Sequence, residues 1–123
     1  MKHKFWYDEQ TNVVHQQIIG DFSTDEARKL GSFYNETLSG KPYRQIIVDL
    51  SQGTKMESRE TRQIANKMLD EANITDVAYI GATSATRMIA KVLMKLGTLK
   101  ANSDFFKTNQ EALNWLMNRR NKK

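Results

Sequence analysis

The chain has 123 residues, 39% of them hydrophobic, and a formal net charge of +5. That length suffices for one domain spanning 1–123 with its own core, and no apolar run approaches the ~20 residues of a membrane helix, so no stable membrane anchor is expected. Cysteine is absent, which excludes disulfides, thiolate nucleophiles and cysteine-bound zinc and fits a cytoplasmic location.

The opening MKHKFWYDEQ lacks the basic-then-apolar layout of a secretory signal. Lys4 to Tyr7 and Val13 to Ile19 are β-type runs separated by the turn-like DEQTN, and they predict a hairpin. In the second run neither alternating set is purely apolar, which suits a strand toward a sheet edge. His15 is expected there as a packed or solvated strand residue. His3 and His15, without a carboxylate cluster nearby, make a poor metal site.

Ser23-Thr24-Asp25-Glu26 is a capping box, and the helix it opens carries Ala27, Leu30, Phe33, Tyr34 and Leu38 on one side. It stops near Gly40, and Pro42 marks the link to the next strand.

The stretch from Arg44 to Ala72 organises the rest. Ile46, Ile47 and Val48 followed by Asp49 and Leu50 form a nearly continuous apolar run, the pattern of a strand buried on both faces at the centre of a sheet. A short polar loop follows. Then Ile64, Ala65, Met68, Leu69 and Ala72 recur at helical spacing, with Ser58 where that helix begins. A loop at the carboxyl end of a buried strand is where open α/β sheets place functional groups.

Asn73 is a plausible helix stop, and Asp76 to Ala82 predicts another buried strand. In TSATRMIAKVLMKLG, Ala85, Met88, Ile89, Val92, Leu93 and Leu96 form an apolar face ending at Gly97. The opposite face sets Arg87, Lys91 and Lys95 in a row, either a solvated helix face or a docking surface for an acidic partner. Asp104 to Phe106 is a last short strand. Thr108 to Glu111 repeats the capping-box pattern before a helix with Ala112, Leu113, Leu116 and Met117 inward and Trp115 over the seam with the sheet. Arg119, Arg120, Lys122 and Lys123 carry four of the five net charges and are expected to fray into water.

The predicted order is β-β-α-β-α-β-α-β-α, an α/β fold with a single mixed, mostly parallel β-sheet and flanking helices. No cofactor is implied: the chain has neither a GxGxxG nor a GxxxxGK[ST] run, and GATSA lacks the flanking glycines of a nucleophile elbow. Glu57-Ser58 places a nucleophile beside a base only in sequence, so an enzyme is not expected. Nucleic acid is not an expected partner either, because no basic face is interleaved with exposed aromatics.

VDLSQGTKMES resembles the signature of the STAS domain, the sulfate-transporter and anti-sigma-factor-antagonist family. That family has a buried strand ending in Asp-Leu-Ser, a short loop, an apolar residue and an Asp-Ser pair at a helix start. Here these are Asp49-Leu50-Ser51 and Met56-Glu57-Ser58. YIGATSATRMIAKVLMKLGTL and DFFKTNQEALNWL are similar to the family's later elements and to its SpoIIAA-like and Sec14-like relatives. The resemblance implies a non-enzymatic interaction or regulatory domain with a protein partner, anti-sigma-like or other. Ser58 falls on the phosphorylatable serine, and Asp49, Ser51, Glu57, Arg59, Thr83, Ser84 and Arg87 are candidate partner contacts. The family's aspartate is Glu57 here, and the small residues that follow its serine are Arg59 and Glu60. Two readings of Ser58 stand side by side, a phosphorylation switch and a plain helix N-cap. The alternative function, in line with the Sec14-like relatives, is a carrier whose cavity, lined by Met68, Met88 and Met94, holds a small apolar ligand or lipid.

Overall fold

The run from Ile46 to Val48 lies at the centre of the sheet. The structure is a computed structural model, and it describes residues 2–56, 59–83 and 100–121, with the side chains of 54–56 outside that description. Its elements are β1 (Lys4–Asp8), β2 (Val13–Phe22), α1 (Thr24–Arg28), α2 (Leu30–Leu38), β3 (Gln45–Met56), α3 (Arg59–Glu71), β4 (Asp76–Ile80), β5 (Asn102–Phe106) and α4 (Asn109–Arg120). The five strands lie side by side in the order β1-β2-β3-β4-β5. β1 pairs antiparallel with β2, and every other pair is parallel. This is the mixed, mostly parallel α/β sheet that the alternation of strands and helices predicts.

Alternate residues of β3 feed two cores, which explains its unbroken apolar run. Ile46 and Val48 join Val14, Ile18, Leu30, Tyr34, Leu69 and Val77 in the larger core under α1, α2 and α3. Ile47 joins Val13, Ala78, Ala112 and Leu116 in a smaller core under α4. Trp115 packs on Phe106 at 5.4 Å between ring centres, closing the seam between α4 and the sheet. Buried polar groups inside the larger core pair with each other: the Tyr34 hydroxyl donates to Gln16 Oε1, and the Thr24 and Thr61 hydroxyls meet at 2.7 Å. Burial pushes the Tyr34 phenol well above its ordinary range, and that of Tyr79 up to about 12.

Three local expectations change. The single helix after Ser23 is two helices meeting at Lys29, although its capping box forms as predicted: Ser23 Oγ accepts from the Glu26 N–H at 3.2 Å and Glu26 Oε1 from the Ser23 N–H at 2.9 Å. β2 lies one strand in from the sheet edge, in keeping with its mixed pattern. β1 covers its outer side, and among the described residues Val13 is the β2 residue buried in the core under α4. The polar loop after Leu50 is instead the second half of β3, since β2 runs far enough to pair with it up to Met56. Finally, the basic end does not fray at Arg119 and Arg120. Arg120 Nε donates to Gln45 Oε1 at 2.7 Å and its NH2 group to the Thr11 carbonyl at 2.7 Å, while Arg119 Nε donates to Asp76 Oδ1 at 3.0 Å. Gln45 and Asp76 are the buried first residues of β3 and β4, so their polar groups require partners, and α4 brings the two guanidinium groups to them.

The helix stop expected at Asn73 is present, with Asn73 at φ 57°, a left-handed conformation that asparagine tolerates well. At Thr108 the hydroxyl accepts from the Glu111 N–H at 3.2 Å and lies 3.3 Å from Glu111 Oε1. The helix expected over Ala85 to Leu96, with its Arg87, Lys91 and Lys95 row, lies outside the described residues, as do Lys122 and Lys123.

Candidate functional site

β3 bends where it outruns β4. Its partner residues in β4 end with Asp49 opposite Ile80, whereas β2 stays beside it to Met56. Over that overhang the register with β2 slips twice: Gln17 faces Asp49 and Ile19 faces Gln52, then Gly20 faces Gly53 and Phe22 faces Met56. Each slip puts one extra residue into β3, which bends a strand and re-aims its side chains. At the first slip the Ser51 N–H finds an acceptor in its own strand, Asp49 Oδ1 at 2.9 Å. The Asp-Leu-Ser run is thus a bulge held by its own aspartate.

The end of β4 supports this bulge from the other side. Gly81 has φ +73°, and a Cβ built on it would fall 2.7 Å from Ser51 Cβ and 2.8 Å from Ser51 N. Only glycine satisfies both the left-handed turn and the close approach. The end of β4 therefore touches the middle of β3 backbone to backbone, and the chain leaves β4 toward the exposed Thr83.

The structure brings Asp49 and Ser51 together at this bulge, with Thr83 two residues past its glycine support. Asp49 is half-buried, and Ser51 and Gln52 are exposed. Asp49 points to the same face as Ile47, in a row that crosses the sheet as Lys4, Gln17, Asp49, Ile80 and Phe106. Arg59 is exposed at the first residue of α3, beside Glu60, whose Oε1 lies 4.0 Å from Arg28. Glu57, Ser58, Ser84 and Arg87 lie outside the described residues, so neither the switch nor the cap reading of Ser58 is tested by geometry. Met68 is half-buried against the larger core, with its Sδ 3.0 Å from where a Gly31 Cβ would stand; Met88 and Met94 lie outside the described residues. Among the described residues no group of three or more His, Asp and Glu side chains gathers to hold a metal, and no helix is long and apolar enough to cross a membrane.

Two features were not legible as part of a site. Gly81 reads in the sequence as one more glycine at an element end, and nothing local marks it as the neighbour of a serine thirty residues earlier. On the face shared with Asp49, Trp6 is 48% exposed and stacks on His15 at 5.1 Å, with ring planes 3° apart. Burial lowers the His15 pKa below its usual value, and Asp8 offsets this in part.

A family model described as a domain of unknown function, DUF7793, matches residues 11–120. The chain belongs to this family. A comparison with curated protein sequences returned no match. Among solved structures, the fold is similar to that of an uncharacterized protein of the DUF3478 family from Shewanella loihica PV-4, described as having a SpoIIAA-like fold. The TM-score is 0.68 at 15% identity, covering 93% of this chain and 91% of that one. It is also similar to the anti-sigma factor antagonist SpoIIAA in its unphosphorylated form, with TM-score 0.61 at 10% identity, covering 94% of this chain and 97% of that one. At such identities the likeness is one of fold, and the DUF7793 chain has the STAS-like, SpoIIAA-like fold that the Asp-Leu-Ser resemblance implies.

Proposed function

We propose that this DUF7793 chain is a single, non-enzymatic STAS-type interaction domain acting in the cytoplasm, whose protein partner docks where β3 outruns β4. The observation that carries this reading is the Ser51 bulge: tied by Asp49 and backed by Gly81, it holds an exposed segment of strand in one shape at the carboxyl end of the sheet. A preformed surface of this kind loses little entropy on docking. Arg59 and Thr83 are its proposed flanks, with Glu57, Ser84 and Arg87 as further contacts. Ser58 is the proposed switch, because phosphate there adds roughly −1.5 to −2 charges beside Glu57 and Glu60. SpoIIAA, described as an anti-sigma factor antagonist in its unphosphorylated form, lends the analogy.

The test uses Ser58→Ala and Ser58→Asp beside the wild type, each immobilised at equal folded fraction and exposed to native extract, with retained proteins quantified by mass spectrometry. A partner retained by wild type and alanine but lost with aspartate supports the switch. Equal retention by all three leaves Ser58 as a helix cap, and retention unaffected by Asp49→Ala moves docking away from the bulge. Organic extraction of the same purified protein checks the carrier alternative, since a stoichiometric apolar ligand would replace the docking reading. No hydrolase or transferase turnover is expected.

A further inference from the structure

His3 is a buried titratable side chain outside the proposed docking surface, with none of its side chain exposed. It stands one residue before the last β1–β2 pair, Lys4 with Gln17, and takes up β2 where β1 stops. Its Nδ1 accepts the Ile19 N–H at 2.9 Å. A backbone N–H can only donate, so this nitrogen carries no proton and the ring is neutral with its proton on Nε2. Nε2 faces Glu26 Oε2 at 3.1 Å, a contact of charge and dipole more than a well-aligned hydrogen bond.

Glu26 is itself fixed. Burial pushes its carboxyl up, but the Ser23 N–H and the His3 ring outweigh this and bring it below its ordinary pKa, so it stays charged. Among the described residues the groups around the ring are few. From α1 it faces Glu26; from β2 it meets the Ile19 amide and the Phe22 ring, centred 5.1 Å away, neither of which titrates. On its own segment Lys2 is the neighbour, its Nζ lying by Gly20.

We propose that His3 is a pH-sensitive strap that exchanges partners on acidification, letting go of the Ile19 amide in β2 while holding to Glu26 at the head of α1. A second proton can enter only at Nδ1, where it meets another donor, so the bond to Ile19 is lost. The same proton makes the ring a cation and strengthens its attraction to the Glu26 carboxylate. Ile19 is the β2 residue paired with Gln52, beside the bulge at Ser51, and its amide points to the opposite, outer side of β2, so the exchange loosens the outer side of the strand that braces the bulge. This inference goes beyond the docking reading and does not depend on it.

The experiment is a long-range proton–nitrogen NMR titration of the intact chain from pH 8 to 5, read together with hydrogen exchange of the Ile19 amide corrected for its intrinsic rate. The expected result is an Nε2–H tautomer of His3 at pH 8. As His3 titrates, protection at Ile19 should fall by about five- to tenfold with the same midpoint, the worth of one hydrogen bond. Glu26→Gln, which keeps an N3 side chain able to complete the capping box, should move the His3 midpoint to lower pH. His3→Asn, which keeps an acceptor but has no proton to gain, should abolish the pH dependence at Ile19. A proton on Nδ1 at pH 8, or Ile19 protection that ignores the His3 titration in the wild type, would overturn the strap.

Discussion

Gly81 stands against Ser51 so closely that a single added methyl group would lie 2.7 Å from the serine Cβ and 2.8 Å from its amide nitrogen. The contact joins the Asp-Leu-Ser run in the middle of β3 to the Ile-Gly-Ala run at the end of β4, and it makes the shape of the bulge depend on a residue with no side chain.

Gly81→Ala should therefore destabilise the fold by roughly 2–4 kcal/mol, combining left-handed backbone strain with overpacking against backbone. Gly40→Ala is the matched comparison, since Gly40 has φ +74° with nothing within 4 Å of the added group. It should cost only about 1–2 kcal/mol. Denaturant unfolding of both variants separates strain from contact: equal losses would mean that the Ser51 contact carries no weight.

The tie inside the bulge should be weaker. Asp49 Oδ1 accepts the Ser51 N–H in an exposed setting where water can substitute. Asp49→Ala is expected to cost roughly 0.5–1.5 kcal/mol, and Asp49→Asn, which keeps an acceptor, less than about 0.5 kcal/mol. Unfolding midpoints decide this, and an asparagine variant as unstable as the alanine one would show that charge, not the hydrogen bond, matters.

Arg120 holds Gln45 Oε1 together with the Thr11 carbonyl at 2.7 Å and the Asn12 carbonyl at 3.2 Å, and lies over the Tyr43 ring at 3.9 Å. Arg120→Ala leaves these acceptors without their donor and should cost roughly 1–3 kcal/mol. Arg120→Lys should recover little, because an ammonium cannot reproduce the planar fork. Arg28→Ala, which removes an exposed pair with Asp25, should change stability by less than about 0.5 kcal/mol. Thermal or denaturant unfolding of the three variants checks the ranking.

Stability should fall on mild acidification. Burial depresses the folded pKa of His15 below its ordinary 6.5, so near that pH the unfolded chain takes up the proton first. The contribution is complete above pH 6.5 and is lost as pH falls from there through the folded pKa. Glu26, also depressed in the fold from an ordinary 4.5, adds stability that is present above pH 4.5 and is lost as pH falls from there through its lower folded value. Denaturant unfolding from pH 8 to 4 should show the first loss near pH 6.5, with a flatter profile there in His15→Gln. An unchanged profile in that variant would remove His15 as the cause.

The sequence by itself determined the alternation of elements, the central strand and the sides of the helices that face the core. These follow from local periodicity and capping, which depend on residues within a turn or two of each other. Ile46, Ile47 and Val48 could be read as central because a strand buried on both faces has no polar side to show. The Asp-Leu-Ser run could be singled out by resemblance, but not its bulge. A bulge is a mismatch between two strands, and it exists only once β2 sets the register against β3.

Tertiary structure alone decided the rest. Gly81 acquires its meaning from Ser51, and His3 from Ile19 and Glu26. Arg119 and Arg120, a basic end in the sequence, become partners of buried groups only because α4 delivers them to the polar first residues of β3 and β4. For His3 and the two arginines the energy comes from a group that burial has stripped of water, paired with one far away in the chain. Burial is a property of the assembled sheet and helices, and no window of sequence contains it.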